Sequence, residues 1–197
     1  MTLPNKLTLG RIILIPSMVI VAYIPYLNGT MAFGNVSIAN LIMVSIFVIA
    51  SLTDFLDGYL ARKNNQVTTF GKFADPLADK LLVMAAMIIL MMQGVIPAWI
   101  IIVILSREFI VTGIRLVAVE RGKVIAASKL GKFKTATTMV ALIVLFFHNT
   151  DGTMVPWNFD NPIFLVGTIL LYIALALTII SGIEYLWKNR SIVFESI

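Results

Sequence analysis

The chain has 197 residues, 59% of them hydrophobic and only 13% charged, with a formal net charge of +5 at pH 7. A soluble domain carries about 25% charged residues, so the composition argues against an ordinary water-soluble domain and for the bilayer as solvent. The absence of cysteine excludes a disulfide framework and a thiolate ligand or nucleophile, and basic residues spread along apolar stretches suit lipid headgroups or phosphorylated substrates better than nucleic acid.

A helix needs about 20 apolar residues to cross the hydrocarbon core. The first such stretch covers residues 7–27; it is long and lacks a small-residue cleavage site, so no cleavable signal peptide is expected. The others cover 36–61, 75–93, 97–119, 130–148 and 162–187, separated by "NGTMAFGN", "KNNQVTTFGKF", "QGVIP", "ERGKVIAASK" and "HNTDGTMVPWNFDNP". No repeat or low-complexity tract interrupts them. The expected fold is all-α: a single domain over 1–197, an integral membrane bundle of six transmembrane helices.

Orientation follows from Lys and Arg. With the N-terminus inside, the three outer loops contain neither residue, while Arg62, Lys63, Lys72, Lys80, Arg121, Lys123, Lys188 and Arg190 all fall on the inner side. Both termini are therefore expected in the cytoplasm. Trp99 and Trp157 fall at outer boundaries and Trp187 at an inner one, as an aromatic belt requires.

Asp54, Asp57, Asp75 and Asp79 are four of only ten acidic residues and cluster where the second and third spans meet at the inner face. Spacings of three and four put each pair on one face of its helix, so the four carboxylates can converge. Unpaired at that depth they would repel one another and take up protons. A bound divalent cation removes the conflict, and all-oxygen ligands select a hard ion: Mg²⁺, with Mn²⁺ or Ca²⁺ as alternatives. Gly58 and Ala61 leave a groove for a bulky group, Gly71 permits close approach in the connection, and Arg62 offers a donor fork for phosphate oxygens. Together these features describe a pyrophosphate site suited to displacement at phosphorus. Salt bridges from Arg62, Lys72 or Lys80, and a carboxylate-lined cation or proton transport pathway, are the competing readings.

These residues match D-x2-D-G-x2-A-R-x8-G-x3-D-x3-D without exception, and the chain thereby resembles the CDP-alcohol phosphatidyltransferase family. The resemblance implies six transmembrane helices with the site facing the cytoplasm, and a homodimer. It implies that Asp54, Asp57, Asp75 and Asp79 hold one or two metal ions and that Asp79 is also the general base. Asp57, Gly58, Ala61, Arg62 and Gly71 would bind CDP-diacylglycerol.

A second basic cluster bears on the acceptor. "SREFIVTGIRL" places Arg107 and Arg115 in the fourth span, and "SKLGKFKTATT" opens the fifth with Lys129, Lys132 and Lys134. Ion pairing of the arginines with Glu108 or an aspartate, and positive-inside bias of the lysines, are the bland alternatives. Lining the cavity opposite the aspartates, these cations would suit an acceptor that already carries a phosphate. The segments resemble those of bacterial phosphatidylglycerophosphate synthases, as does the opening "PNKLTLGRI", which brings Asn5, Thr8 and Arg11 forward for nucleotide or headgroup binding. That resemblance implies a bacterial cell-membrane enzyme of phospholipid biosynthesis using sn-glycerol 3-phosphate. Inositol phosphate, or phosphatidylglycerol in a cardiolipin synthase, is the alternative acceptor. His148, Asp151 and Asp160 read as bland, and Glu184 as a surface partner of Lys188.

Overall fold

Unbroken runs of Ile, Leu, Val, Met and Ala wind into helices, because in an apolar surrounding a helix satisfies its own backbone polar groups. The computed structural model describes residues 3–33, 36–63, 69–122, 125, 128–147 and 162–190; the side chains of 3–7, 33, 54–63, 69–76 and 129 lie outside that description. Helix α1 spans Leu3–Ala22. It stops short of the predicted end at 27 because Ile24 precedes a proline and is extended (φ −88, ψ 104), and Pro25 starts the short helix α2, Pro25–Gly29. A small antiparallel pair follows, β1 (Met31–Phe33) with β2 (Val36–Ser37), the only departure from an all-α fold among the described residues.

Helix α3 covers Ile38–Lys63, α4 Thr69–Met92, α5 Ala98–Glu120, α6 Lys129–Phe146 and α7 Pro162–Lys188. The Ser37 hydroxyl accepts from the Asn40 backbone N–H at 3.1 Å and so caps α3. Asn40, buried, accepts from Gln93 at 2.8 Å, which ties the start of α3 to the end of α4. The turns after α4 and α5 use Gly94 (φ 76) and Gly122 (φ 68), left-handed positions that favour glycine. Helix α4 begins six residues before the predicted span, since the helix continues past its apolar stretch.

The six expected spans thus correspond to six helices of 18 or more residues among the described residues. As apolar spans they are not equivalent. Of the described residues, only Pro162–Lys188 is long and apolar enough to cross a membrane by composition alone, with mean hydropathy 2.7. Arg107, Glu108 and Arg115 interrupt α5, and Lys129, Lys132 and Lys134 interrupt α6. The apolar parts of α1 and α3 that qualify are shorter, Thr8–Ala22 and Ile38–Thr53.

Helix α1 packs on α3 and α4, α6 lies along α7, and α5 rests on α7. Met18, Met43, Phe47, Leu90, Leu142 and Phe146 are fully buried between these layers, with the Phe47 and Phe146 rings 6.5 Å apart. Gly167 lets α7 approach α6: a Cβ there would lie 2.8 Å from Leu145 Cδ2 and 2.9 Å from its Cγ. This close packing at one end leaves the other ends of α3 to α7 to surround an open space.

Candidate active site

That space is a cavity of about 470 Å³, within the ~300–1,000 Å³ of small-molecule sites. Asp79 of α4 lines it, as do Arg107, Glu108 and Arg115 of α5, Lys132 of α6 and Tyr185 of α7. The N-terminal turn of α6 also faces it through Ser128 and Gly131. Ser128 caps that helix, its hydroxyl accepting from the Gly131 N–H at 3.0 Å. A helix N-terminus carries partial positive charge, so the wall formed by α5 and α6 favours an anion.

The cations on that wall differ in their commitments. Arg107 donates through Nη1 to Glu108 Oε1 at 2.8 Å and through Nη2 to the Ser181 hydroxyl at 3.1 Å. Lys134 donates to the same Glu108 oxygen at 2.7 Å, so one carboxylate serves two cations. Lys134 was expected with the exposed lysines of the acceptor site. Its residue is instead 5% exposed, and it lines a separate cavity of about 230 Å³ with Asp79 and Glu108. A partly buried acid about three turns into an apolar helix is costly without such partners, so Glu108 of α5 is matched by Arg107 beside it and Lys134 of α6.

Arg115 is held differently. Its Nε donates to the Tyr185 hydroxyl at 3.3 Å, and its Cζ lies 5.6 Å from the centre of the Tyr185 ring. Tyr185 is 4% exposed, packed with Val111 and Ile114 of α5. Lys80 bonds Thr112 across α4 and α5. Glu184 does pair with Lys188, as expected of adjacent helix turns.

The structure therefore lines one cavity with Asp79, Arg107, Arg115 and Lys132, and pairs Lys134 with Glu108, which borders both cavities. Thr8 and Arg11 are each 1% exposed on α1, and neither lines this cavity. Asp54, Asp57, Gly58, Ala61 and Arg62 lie on α3 and Gly71 and Asp75 on α4, but their side chains are outside the described residues, as are those of Asn5 and Lys129. His148, Asp151, Asp160 and Trp157 also fall outside. Ser181, Gly182 and Tyr185 were not anticipated. Their signal was a polar stripe at helical spacing, Thr178, Ser181 and Tyr185, in the otherwise apolar α7.

The chemistry of the acidic set fits a hard divalent cation: two carboxylates on α3 three residues apart, two on α4 four apart, and Asp79 at the cavity wall. Among the described residues no group of three His, Cys, Asp or Glu gathers, and of the four aspartates only Asp79 has a described side chain.

Known proteins share this arrangement of sequence along almost the whole chain. A Bacillus subtilis protein named CDP-diacylglycerol–glycerol-3-phosphate 3-phosphatidyltransferase is 49% identical over 189 residues, 95% of this chain and 94% of its own length. Proteins of the same name from Rickettsia typhi and Haemophilus influenzae are both 39% identical; the match covers 93% and 99% of this chain, and 94% and 97% of theirs. Residues 1–180 match the pattern shared by CDP-alcohol phosphatidyltransferases, and the chain belongs to that family.

Proposed function

We propose that the chain transfers the phosphatidyl group of CDP-diacylglycerol to sn-glycerol 3-phosphate, yielding phosphatidylglycerophosphate and CMP. The observation that carries this reading is the cavity that Asp79 of α4 lines together with Arg107 and Arg115 of α5 and Lys132 of α6. A transfer to a phosphorylated alcohol needs a carboxylate and phosphate-binding cations in one cavity, and three relatives of high coverage bear the name of this activity.

The acceptor phosphate lies against Arg115, Lys132 and the N-terminal turn of α6. One of its two free hydroxyls then points across the cavity to Asp79, which takes its proton as the oxygen bonds to the phosphorus bearing diacylglycerol. The bond from that phosphorus to the CMP oxygen breaks. Asp57, Gly58, Ala61, Arg62 and Gly71 seat the CDP portion, with Asn5 and Thr8 contributing from α1. Asp54, Asp57, Asp75 and Asp79 are the residues that would hold Mg²⁺, or Mn²⁺ in its place. Such an ion offsets charge on the pyrophosphate oxygens. An aspartate base is weak, so much of the rate comes from positioning the two substrates.

The same reading puts six helices through a bacterial cell membrane with the cavity and both termini at the cytoplasmic side. Support comes from an apolar exterior: Ile13, Ile20, Ile49, Ile102, Val166 and Ile173 are all 46% exposed or more. So extensive an apolar surface matches lipid, not water. The family resemblance further implies a homodimer.

The test is CMP release by purified protein in vesicles given both substrates and Mg²⁺. Release should need glycerol 3-phosphate and stop with a chelator. No CMP under these conditions, or equal rates with serine as acceptor, overturns the proposal.

A further inference from the structure

Each arginine of the cavity has a neutral hydroxyl partner on α7, but the two arginines differ in charge balance. Arg107 spends Nη1 on Glu108 and Nη2 on Ser181, so its charge is offset within the protein. Its stem is also confined, because a Cβ on Gly182 would lie 3.0 Å from Arg107 Cγ. Arg115 uses only Nε, and its partner is the neutral Tyr185 hydroxyl. Among the described residues Nη1 and Nη2 of Arg115 have no protein acceptor, and the side chain faces the cavity.

Tyr185 holds that guanidinium in two ways: the hydroxyl accepts from Nε, and the ring face lies beneath Cζ at 5.6 Å. Neither contact takes away positive charge. A carboxylate in the same place would fix Arg115 equally well but offset the charge that a phosphate needs. The buried ring, packed on Val111 and Ile114, is itself fixed, so the fork of Arg115 is aimed before ligand arrives.

We propose that Tyr185 is a positioning residue for Arg115, and that it sets the affinity for the acceptor's phosphate by presenting Arg115 with its two terminal nitrogens free. Arg107 is then a structural member of the wall, and Arg115 the principal phosphate ligand. The inference rests on the phosphatidyltransferase reading, and it deepens that reading by assigning the acceptor subsite.

The test is steady-state kinetics of Tyr185→Phe and Tyr185→Leu in vesicles, each substrate varied separately, with inorganic phosphate as inhibitor. Tyr185→Leu should raise the KM for glycerol 3-phosphate about tenfold or more and weaken phosphate inhibition in parallel. The KM for CDP-diacylglycerol and kcat should hold within about twofold. Tyr185→Phe, which keeps the ring, should recover most of the lost affinity. An unchanged KM for glycerol 3-phosphate in Tyr185→Leu overturns the proposal, as does an equal rise in both KM values with a lower melting temperature, the mark of a merely structural role. A wild-type protein that releases no CMP at all would instead sink the underlying reading.

Discussion

Asp79 and Glu108 line both cavities, but their surroundings differ. On the proposed reading Asp79 takes the acceptor's proton, while Glu108 serves two cations. Asp79→Asn keeps the shape and removes the base, so CMP release should fall about 10²–10⁴-fold, measured as single-turnover rate with both substrates saturating. Glu108 is committed to Arg107 and Lys134, with side chains 24%, 13% and 7% exposed. Glu108→Gln leaves two largely buried cations without a counter-charge. It should cost about 2–3 kcal/mol, read as a lowered unfolding midpoint in detergent, and Lys134→Met in the same background should restore part of it. Retention of the wild-type midpoint in Glu108→Gln would show that water or lipid headgroups already balance those charges.

At the scale of the helices, α7 is the organising element. It is the most apolar of them, packs along α6 and α5, and places Ser181 and Tyr185 one turn apart opposite two arginines two turns apart on α5. Gly167 sets how closely α6 and α7 approach, because Leu145 fills the space a side chain would take. Gly167→Leu should therefore separate the two helices and destabilise the protein by about 1–3 kcal/mol, seen in a thermal melt. Activity should fall with it as the N-terminal turn of α6 shifts against the arginines. By contrast Gly113→Ala, where nothing lies within 4 Å of the added methyl, should melt like the wild type.

For the molecule as a whole, the absence of cysteine makes topology directly measurable. Trp99 begins α5 and Arg121 caps its other end, and both are exposed. If α5 crosses the membrane as proposed, Trp99→Cys should react with an impermeant maleimide in intact cells from which the outer barrier has been removed. Arg121→Cys should react only in inverted vesicles. Labelling of both from one side would contradict the six-span arrangement and the cytoplasmic cavity together.

The positions of the six long helices were legible in the order of the residues. Each depends on spacing along the chain, and a helix converts spacing into a face. The end of α1 was misjudged by the apolar pattern, because Pro25 acts on the backbone and not through hydropathy. Lys134 looked equivalent to Lys132, two residues away, until folding buried one against Glu108 and left the other exposed on the cavity lining. Arg107 meets Ser181 across 74 residues of chain and Arg115 meets Tyr185 across 70. Periodicity marks Ser181 and Tyr185 as facing inward, but not what they face. The sequence by itself determined which charged and small residues the helices carry and at what spacing. Only the tertiary structure decided which arginine meets a carboxylate and which a neutral hydroxyl, because that depends on which helices touch.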